Sequence, residues 1–307
     1  MERKETNMMG RNNKLHCLVR SLLVPILVWV LVGCGSQQST PQDDASGTTQ
    51  TIQNKGSDTL VNVALAWAES YMEAFPDARV SVTGGGSGTG IAGMINGTVD
   101  IANASRKVKP EEVSAARANG IELVETVVAG DAIAVVVHPS NPVDRLTLQQ
   151  ISDIYTRRIH NWTQLGGEDR PIVLLSRESN SGTYVYFLEN VIRLGDKESD
   201  LLFSPDTLLM PSSEGISAEI RENPNSIGYD GLGYVTSDQK VLAIARHAGG
   251  RYVLPSVATA NDGSYPISRE LYMYTPDEPA GQVKAYLDWV LTDGQALVAK
   301  LGFVPLR

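Results

Sequence analysis

Cysteine is nearly absent from the 307 residues: Cys17 and Cys34 are the only two, both ahead of the first globular stretch. The body of the chain therefore has no thiol pair to bridge and no thiolate cluster for a metal. Histidine is almost as scarce, with four residues, and no His/Asp/Glu group shows ligand spacing. Basic charge is the third deficit. There are 26 Lys and Arg against 35 Asp and Glu, a formal net charge of −9. That balance argues against nucleic acid as a partner, because binding it depends on neutralising phosphates. Long apolar runs are also missing. The stretch Leu22 to Val32, broken by Pro25, falls short of the about 20 residues needed to cross a membrane.

What is present begins at the N-terminus. Arg3, Lys4, Arg11, Lys14 and Arg20 precede the short apolar run, in the order of a secretory signal peptide. The run ends in Leu31-Val32-Gly33-Cys34, which resembles the lipobox of bacterial lipoproteins. In that reading residues 1–33 are removed and lipid on Cys34 holds the protein to a membrane. An ordinary signal peptide and an uncleaved anchor are the alternatives. Removing residues 1–33 takes away five basic and two acidic residues and moves the formal charge from −9 to −12. An anionic ligand would then have to be held by local dipoles and a few cations. Residues 34–50 read as the lipidated Cys and a disordered Ser/Thr/Gln/Asp-rich tether. The 257 residues from Thr51 onward have globular composition and suffice for two medium lobes.

Strand-like and helix-like stretches alternate along that body. Thr51–Asn54, Arg79–Thr83, Val99–Ala104, Ile133–Val137 and Ile172–Ser176 read as strands. Leu60, Val63, Ala64, Trp67, Ala68 and Tyr71 recur at helical spacing, and Pro110 opens a helix through Ala118. Ile91–Asn96, Tyr184–Leu194 and a segment around Val283–Leu291 read as further helices. The alternation predicts parallel sheets of the α/β class.

Three strand-to-helix junctions share one chemistry. They are Gly56-Ser57-Asp58-Thr59, the loop Gly84-Gly85-Gly86-Ser87-Gly88-Thr89-Gly90, and Ser179-Asn180-Ser181-Gly182-Thr183. The first N–H groups of a helix lack partners within it and sit at the positive end of its dipole. Glycine allows close approach and Ser or Thr adds a hydroxyl, so each junction suits an anion. Any one of them is equally a plain N-cap, but caps alone do not need a triple-glycine loop. Arg106, in Ala104-Ser105-Arg106, and Arg177 each follow a strand end, and a guanidinium can hold two oxygens of a phosphate.

Taken together, Gly56-Ser57-Asp58-Thr59-Leu60, the Gly84–Gly90 loop, Val99-Asp100-Ile101-Ala102, Asp153-Ile154-Tyr155 with Trp162, and Arg177 with Ser181-Gly182-Thr183 resemble the phosphate-binding protein of Pst-type importers. So do Ile227-Gly228-Tyr229 with Gly231-Leu232-Gly233-Tyr234, and Tyr265-Pro266-Ile267 followed by Leu271-Tyr272-Met273-Tyr274. The resemblance runs in consistent order from about residue 52 to the C-terminus. It implies a two-lobed type II periplasmic-binding (Venus flytrap) fold with two mixed sheets flanked by helices and a two-segment hinge. Lobe 1 would hold residues 51–135 and 271–307, and lobe 2 residues 136–270. It also implies a monomer that captures inorganic phosphate between the lobes and delivers it to membrane-embedded ABC permease subunits, without cofactor, metal or catalysis. The contacts carried over by motif are Ser57, Thr59 and Leu60 N–H, Ser87, Arg177, Ser181, Gly182 N–H and Thr183, with Ser105 and Arg106 beside them.

One position departs from that pattern. Relatives that discriminate phosphate from sulfate can carry an aspartate where this chain has Arg106. Asp58 is the candidate substitute as acceptor of the phosphate proton, with helix capping as the plain alternative. Three rival functions are weighed on residues. Gly88-Thr89-Gly90-Ile91-Ala92-Gly93 matches a dinucleotide fingerprint, but the next strand ends in Ala-Ser-Arg and lacks the acidic residue a ribose needs. An exported phosphoester hydrolase would need a histidine tied to Ser87 or Ser181, and His138, His160 and His247 show no such motif. A phosphate-sensing surface protein using the same anion site is the third.

Overall fold

The layers predicted from the strand and helix signals begin at Ile52. The computed structural model describes residues 50–306. The expected signal peptide, Cys34 and the tether through residue 49 lie outside the described residues. The strands are β1 (Ile52–Gly56), β2 (Val80–Thr83), β3 (Ile101–Ala104), β4 (Leu123–Val137), β5 (Arg145–Thr147), β6 (Val173–Arg177), β7 (Leu208–Met210), β8 (Ser226–Gly231), β9 (Lys240–Val241), β10 (Ala243–Ala245) and β11 (Ser268–Pro276). The α-helices are α1 (Val61–Ala74), α2 (Ser87–Ile95), α3 (Pro110–Ala118), α4 (Leu148–Tyr155), α5 (Gly182–Phe187), α6 (Ser213–Glu222), α7 (Val257–Asn261), α8 (Gly281–Leu291) and α9 (Gln295–Val298).

Local chemistry accounts for several boundaries. α3 starts on Pro110, carries Glu111 and Glu112 in its first turn and Arg117 in its last, and so complements its own dipole at both ends. α1 buries Val63, Ala64, Trp67, Ala68 and Tyr71, one face at three- and four-residue steps. The helix expected over Tyr184–Leu194 is α5 followed by a wider π-type turn at Leu188–Ile192.

The sheets are mixed, as the family resemblance implies, and not parallel throughout as the strand–helix alternation alone would have them. β1 lies parallel between β2 and β3, and β6 lies parallel between β8 and β7, but β11 and β4 run antiparallel to their neighbours. The order is β2-β1-β3-β11-β4-β8-β6-β7, with β9 also on β4, so the two mixed sheets are halves of one hydrogen-bonded path. A small parallel pair, β5 with β10, stands apart. The join exists because β4 is long. Fifteen residues at about 3.3 Å each span on the order of 50 Å, enough to serve both lobes. Its residues Leu123–Ala132 pair with β11, and Ile133–Val137 pair with β8.

β4 also feeds separate cores. Val128 and Ala129 pack with Leu60, Trp67, Leu271, Met273 and Phe303 in one lobe. Ile133, Val135 and Val137 pack with Tyr155, Trp162, Phe187 and Tyr229 in the other, while Ala134 and Val136 face Ile216 and Ile220 on the opposite side of the sheet. This is the period-two alternation of a strand covered on both faces.

Candidate functional site

The three junctions, far apart in the chain, meet where the lobes face each other. The Ser57 hydroxyl donates to Ser105 Oγ at 2.9 Å. Ser87 Oγ stands 3.3 Å from Ser105 Oγ and accepts from the Ser105 N–H at 3.0 Å. From the other lobe, Thr183 Oγ1 comes within 2.9 Å of Thr59 Oγ1. Ser181 caps α5 by accepting from the Thr183 N–H at 3.2 Å. All six hydroxyl side chains are buried.

Two glycines permit this approach. Gly86 has φ +94°, and a Cβ there would press on the Asn180 carbonyl at 2.9 Å. A Cβ on Gly182 would come within 2.5 Å of Ser105 Oγ and closer still to Ser87 Oγ. The surrounding backbone is tied across the boundary as well: Gly88 N–H donates to Asn180 O at 3.0 Å, and Asn180 Nδ2 to Gly85 O at 2.9 Å.

Arg177, at the end of β6 and only 1% exposed, supplies the cation. Its Nη1 lies 3.0 Å from Asp58 Oδ2 and donates to Ser213 Oγ at 2.9 Å, while Nη2 donates to the Pro211 carbonyl at 3.0 Å. Asp58 Oδ2 also accepts from the Ser213 N–H at 2.8 Å, and Tyr234 Oη donates to the Asp58 carbonyl at 2.6 Å. Asp58 thus binds its own lobe to the opposite one. Below it, Asp230 accepts from Ser213 Oγ and the Gly231 N–H, each at 2.8 Å. Burial pushes the Asp230 carboxyl up to about 7, although Arg177 opposes the rise.

The structure does not bring every expected residue into this group. Arg106 is held by Glu112 through Nη1 at 2.8 Å and Nη2 at 2.6 Å, and Nη1 also reaches the Lys107 carbonyl. The physical reason is a carboxylate six residues on, at the third position of α3, which binds both Nη groups and leaves Nε buried without a hydrogen-bond partner. Burial raises the Glu112 carboxyl, but Arg106 and the Lys109 N–H outweigh it and hold the group below its usual value. The Leu60 N–H is likewise engaged, donating to Ser57 O at 3.1 Å.

Four residues that sequence reasoning passed over stand in the same place: Asp131, Ser213, Asp230 and Arg269. Asp131 had a legible signal, since an ionisable residue interrupts the apolar run from Val127 to Val137. Arg269 had none in its own neighbourhood. Among the described residues no group of three or more His, Cys, Asp or Glu is placed to hold a metal. His138 Nδ1 pairs with Ser140 and His247 Nδ1 with the Ala248 carbonyl, away from Ser87 and Ser181.

The chain is similar to known proteins over most of its length. The PBP superfamily domain matches residues 41–294. The phosphate-binding protein PstS of Pseudomonas aeruginosa is 33% identical over 92% of this chain and 94% of its own length, and that of Bacillus subtilis is 30% identical over 95% of both. Among solved structures, a substrate-binding protein assigned to phosphate ABC transport in Clostridium perfringens, crystallised with bound phosphate, superposes with a TM-score of 0.75 at 32% identity. That match covers 84% of this chain and all of the other. An ABC-type phosphate transport receptor from Vibrio cholerae superposes at 0.66, with 27% identity over 83% of this chain and all of the other. With its type II fold and its hydroxyl-lined inter-lobe site, the chain belongs to the PBP superfamily and, within it, to the family of PstS phosphate-binding proteins.

Proposed function

We propose that the chain is an extracytoplasmic solute-binding protein that captures inorganic phosphate between its lobes and delivers it to an ABC permease, with no catalytic step. The observation that carries this reading is the convergence of six buried hydroxyls from both lobes, with the buried guanidinium of Arg177 joined to Asp58, which stands between Ser57 and Thr59. Hydroxyls and N–H groups donate to all sides of a tetrahedral oxyanion, and a guanidinium supplies the charge-assisted bond. In this reading the lobes are residues 51–135 with 271–307, and 136–270, and phosphate bridges them so that the ligand adds to the contacts that favour closure. Lipid on Cys34 ties a monomer to the outer face of the cell membrane through the 34–50 tether.

Asp58 is the selectivity element. Its Oδ2 is engaged by Arg177 and Ser213, which leaves Oδ1 to accept the proton that hydrogen phosphate carries and sulfate lacks at neutral pH. Calorimetric titration of the anion-stripped protein with phosphate and with sulfate tests both statements. The expected result is tight phosphate binding without turnover of phosphate esters, and a phosphate preference over sulfate that shrinks about tenfold or more in Asp58→Asn. Sulfate binding equal to phosphate in the parent would refute the assignment of ligand. Unchanged selectivity in the variant would return Asp58 to a capping role.

A further inference from the structure

The two threonine hydroxyls that meet across the lobe boundary are held by a side chain of the hinge. Arg269 stands on β11 directly opposite Asp131 of β4, two residues before β4 takes β8 as its partner. Its Nε and Nη2 donate to Asp131 Oδ2 at 3.1 and 2.8 Å, and Nη1 donates to the Ser105 carbonyl at 3.0 Å. Nη2 also reaches Thr183 Oγ1 at 3.0 Å and Thr59 Oγ1 at 3.3 Å. The guanidinium lies 5.6 Å from the centre of the Tyr186 ring, and Tyr186 Oη donates to the Ser268 carbonyl at 2.7 Å. The Arg269 side chain is 3% exposed and Asp131 is fully buried.

A hydroxyl has one proton to give and two lone pairs to receive with. Where a cation donates to it, a lone pair is used and its proton must go to another acceptor. Thr59 and Thr183 face the same Nη2 group and each other. One proton is shared between them and the other points away from the guanidinium. An anion beside them accepts the free proton, and accepts both once it replaces the bond between the two hydroxyls.

We propose that Arg269, fixed at the hinge by Asp131, is a positioning residue of the anion site that turns the Thr59 and Thr183 hydroxyls into donors as the lobes meet. This rests on the phosphate reading above and names what orients two of its donors. It also ties the lobe-spanning pair to the strand about which the lobes are joined.

Replacing Arg269 alone strands a buried carboxylate, so the informative variant is Arg269→Gln/Asp131→Asn, which removes both charges. The full-length, anion-stripped chain is titrated with inorganic phosphate by calorimetry, and its melting temperature is read without phosphate. The expected outcome is a melting temperature close to the parent's and a dissociation constant weaker by about tenfold or more. In a Thr59→Val/Thr183→Val background the same change weakens binding less than about threefold, because no hydroxyl remains to orient. Equal factors in the two backgrounds, or unchanged affinity, would overturn the assignment. Should the paired variant not fold, Arg269→Lys keeps the charge pair but loses the planar fork. Weaker phosphate binding at native melting temperature then supports the proposal, and parental binding sinks it. A parent that binds no phosphate at all would overturn the proposed function itself, and this inference with it.

Discussion

The ends of β3 and β6 look alike in sequence and do opposite work. Each leads to an arginine beside small and hydroxyl residues, and Arg106 and Arg177 are both more than nine-tenths buried. Arg106 has both Nη groups held within its own segment by Glu112, which ties the strand end to α3. Arg177 takes its partners from Asp58, Met210, Pro211 and Ser213, three of the four lying between the end of β7 and the first residue of α6 and one in the opposite lobe. A buried cation with a neighbouring carboxylate is spent on local order. One whose partners lie in distant segments stands where those segments meet, and its surroundings change when they move.

The comparison is broken most directly by Arg177→Gln, which should weaken phosphate binding by about a hundredfold or more, since it removes the charge-assisted donor and leaves Asp58 and Asp230 facing each other. Calorimetry reads this, and a loss smaller than that for Arg106→Gln would reverse the roles. Gly182→Ala comes next. Its Cβ would collide with Ser105 and Ser87 from across the boundary, and relieving that overlap should cost about tenfold in affinity while α5, freed of a glycine, does not lose helicity. Binding at parental strength would show that the serines move aside freely.

Arg106→Gln sharpens the comparison from the other side. Phosphate affinity should stay within about threefold of the parent while stability falls by about 1–3 kcal/mol, the range for a charged hydrogen-bonded partner removed. Denaturant unfolding and titration on one preparation separate the two effects. Asp230→Asn is read in the pH dependence of stability. A carboxyl pushed up to about 7 binds its proton more tightly in the folded chain, so its contribution to stability is full at low pH and is lost as pH rises through about 7. The variant should melt with the parent below about pH 4 and increasingly above it as pH rises to 8. An offset independent of pH would remove the Asp230 carboxyl as the source.

Much of the architecture was legible residue by residue. Pro110 and the acidic first turn mark α3 at both ends, and the period of Val63, Ala64, Trp67 and Tyr71 finds α1. These signals are local, arising from backbone dihedrals, capping and one buried face, and need no distant partner. The apolar segment Ile133–Val137 was visible as a buried strand, but not as the end of a fifteen-residue strand. Its first part, Leu123–Ala132, carries Glu125 and Asp131 and is made a strand by pairing with β11, some 140 residues on.

The candidate site divides along the same line. Hydroxyls, glycines and helix starts at Ser57, Ser87 and Ser181 are set by composition, because few other residues suit such turns. What decides their meaning is which of them meet, and that depends on long-range pairing. Arg106, legible as a ligand, has its two Nη groups tied to α3 because Glu112 turns back onto it. Arg269, illegible as anything but a strand residue, reaches Thr59 and Thr183 because β11 lies against β4 at Asp131. Local signals in the chain mark α1, α3 and the anion-suited junctions, and the order of its motifs carries the family. Tertiary structure alone decided which charges face the cleft, because a buried cation is assigned by its nearest carboxylate in space, and chain order does not encode that distance.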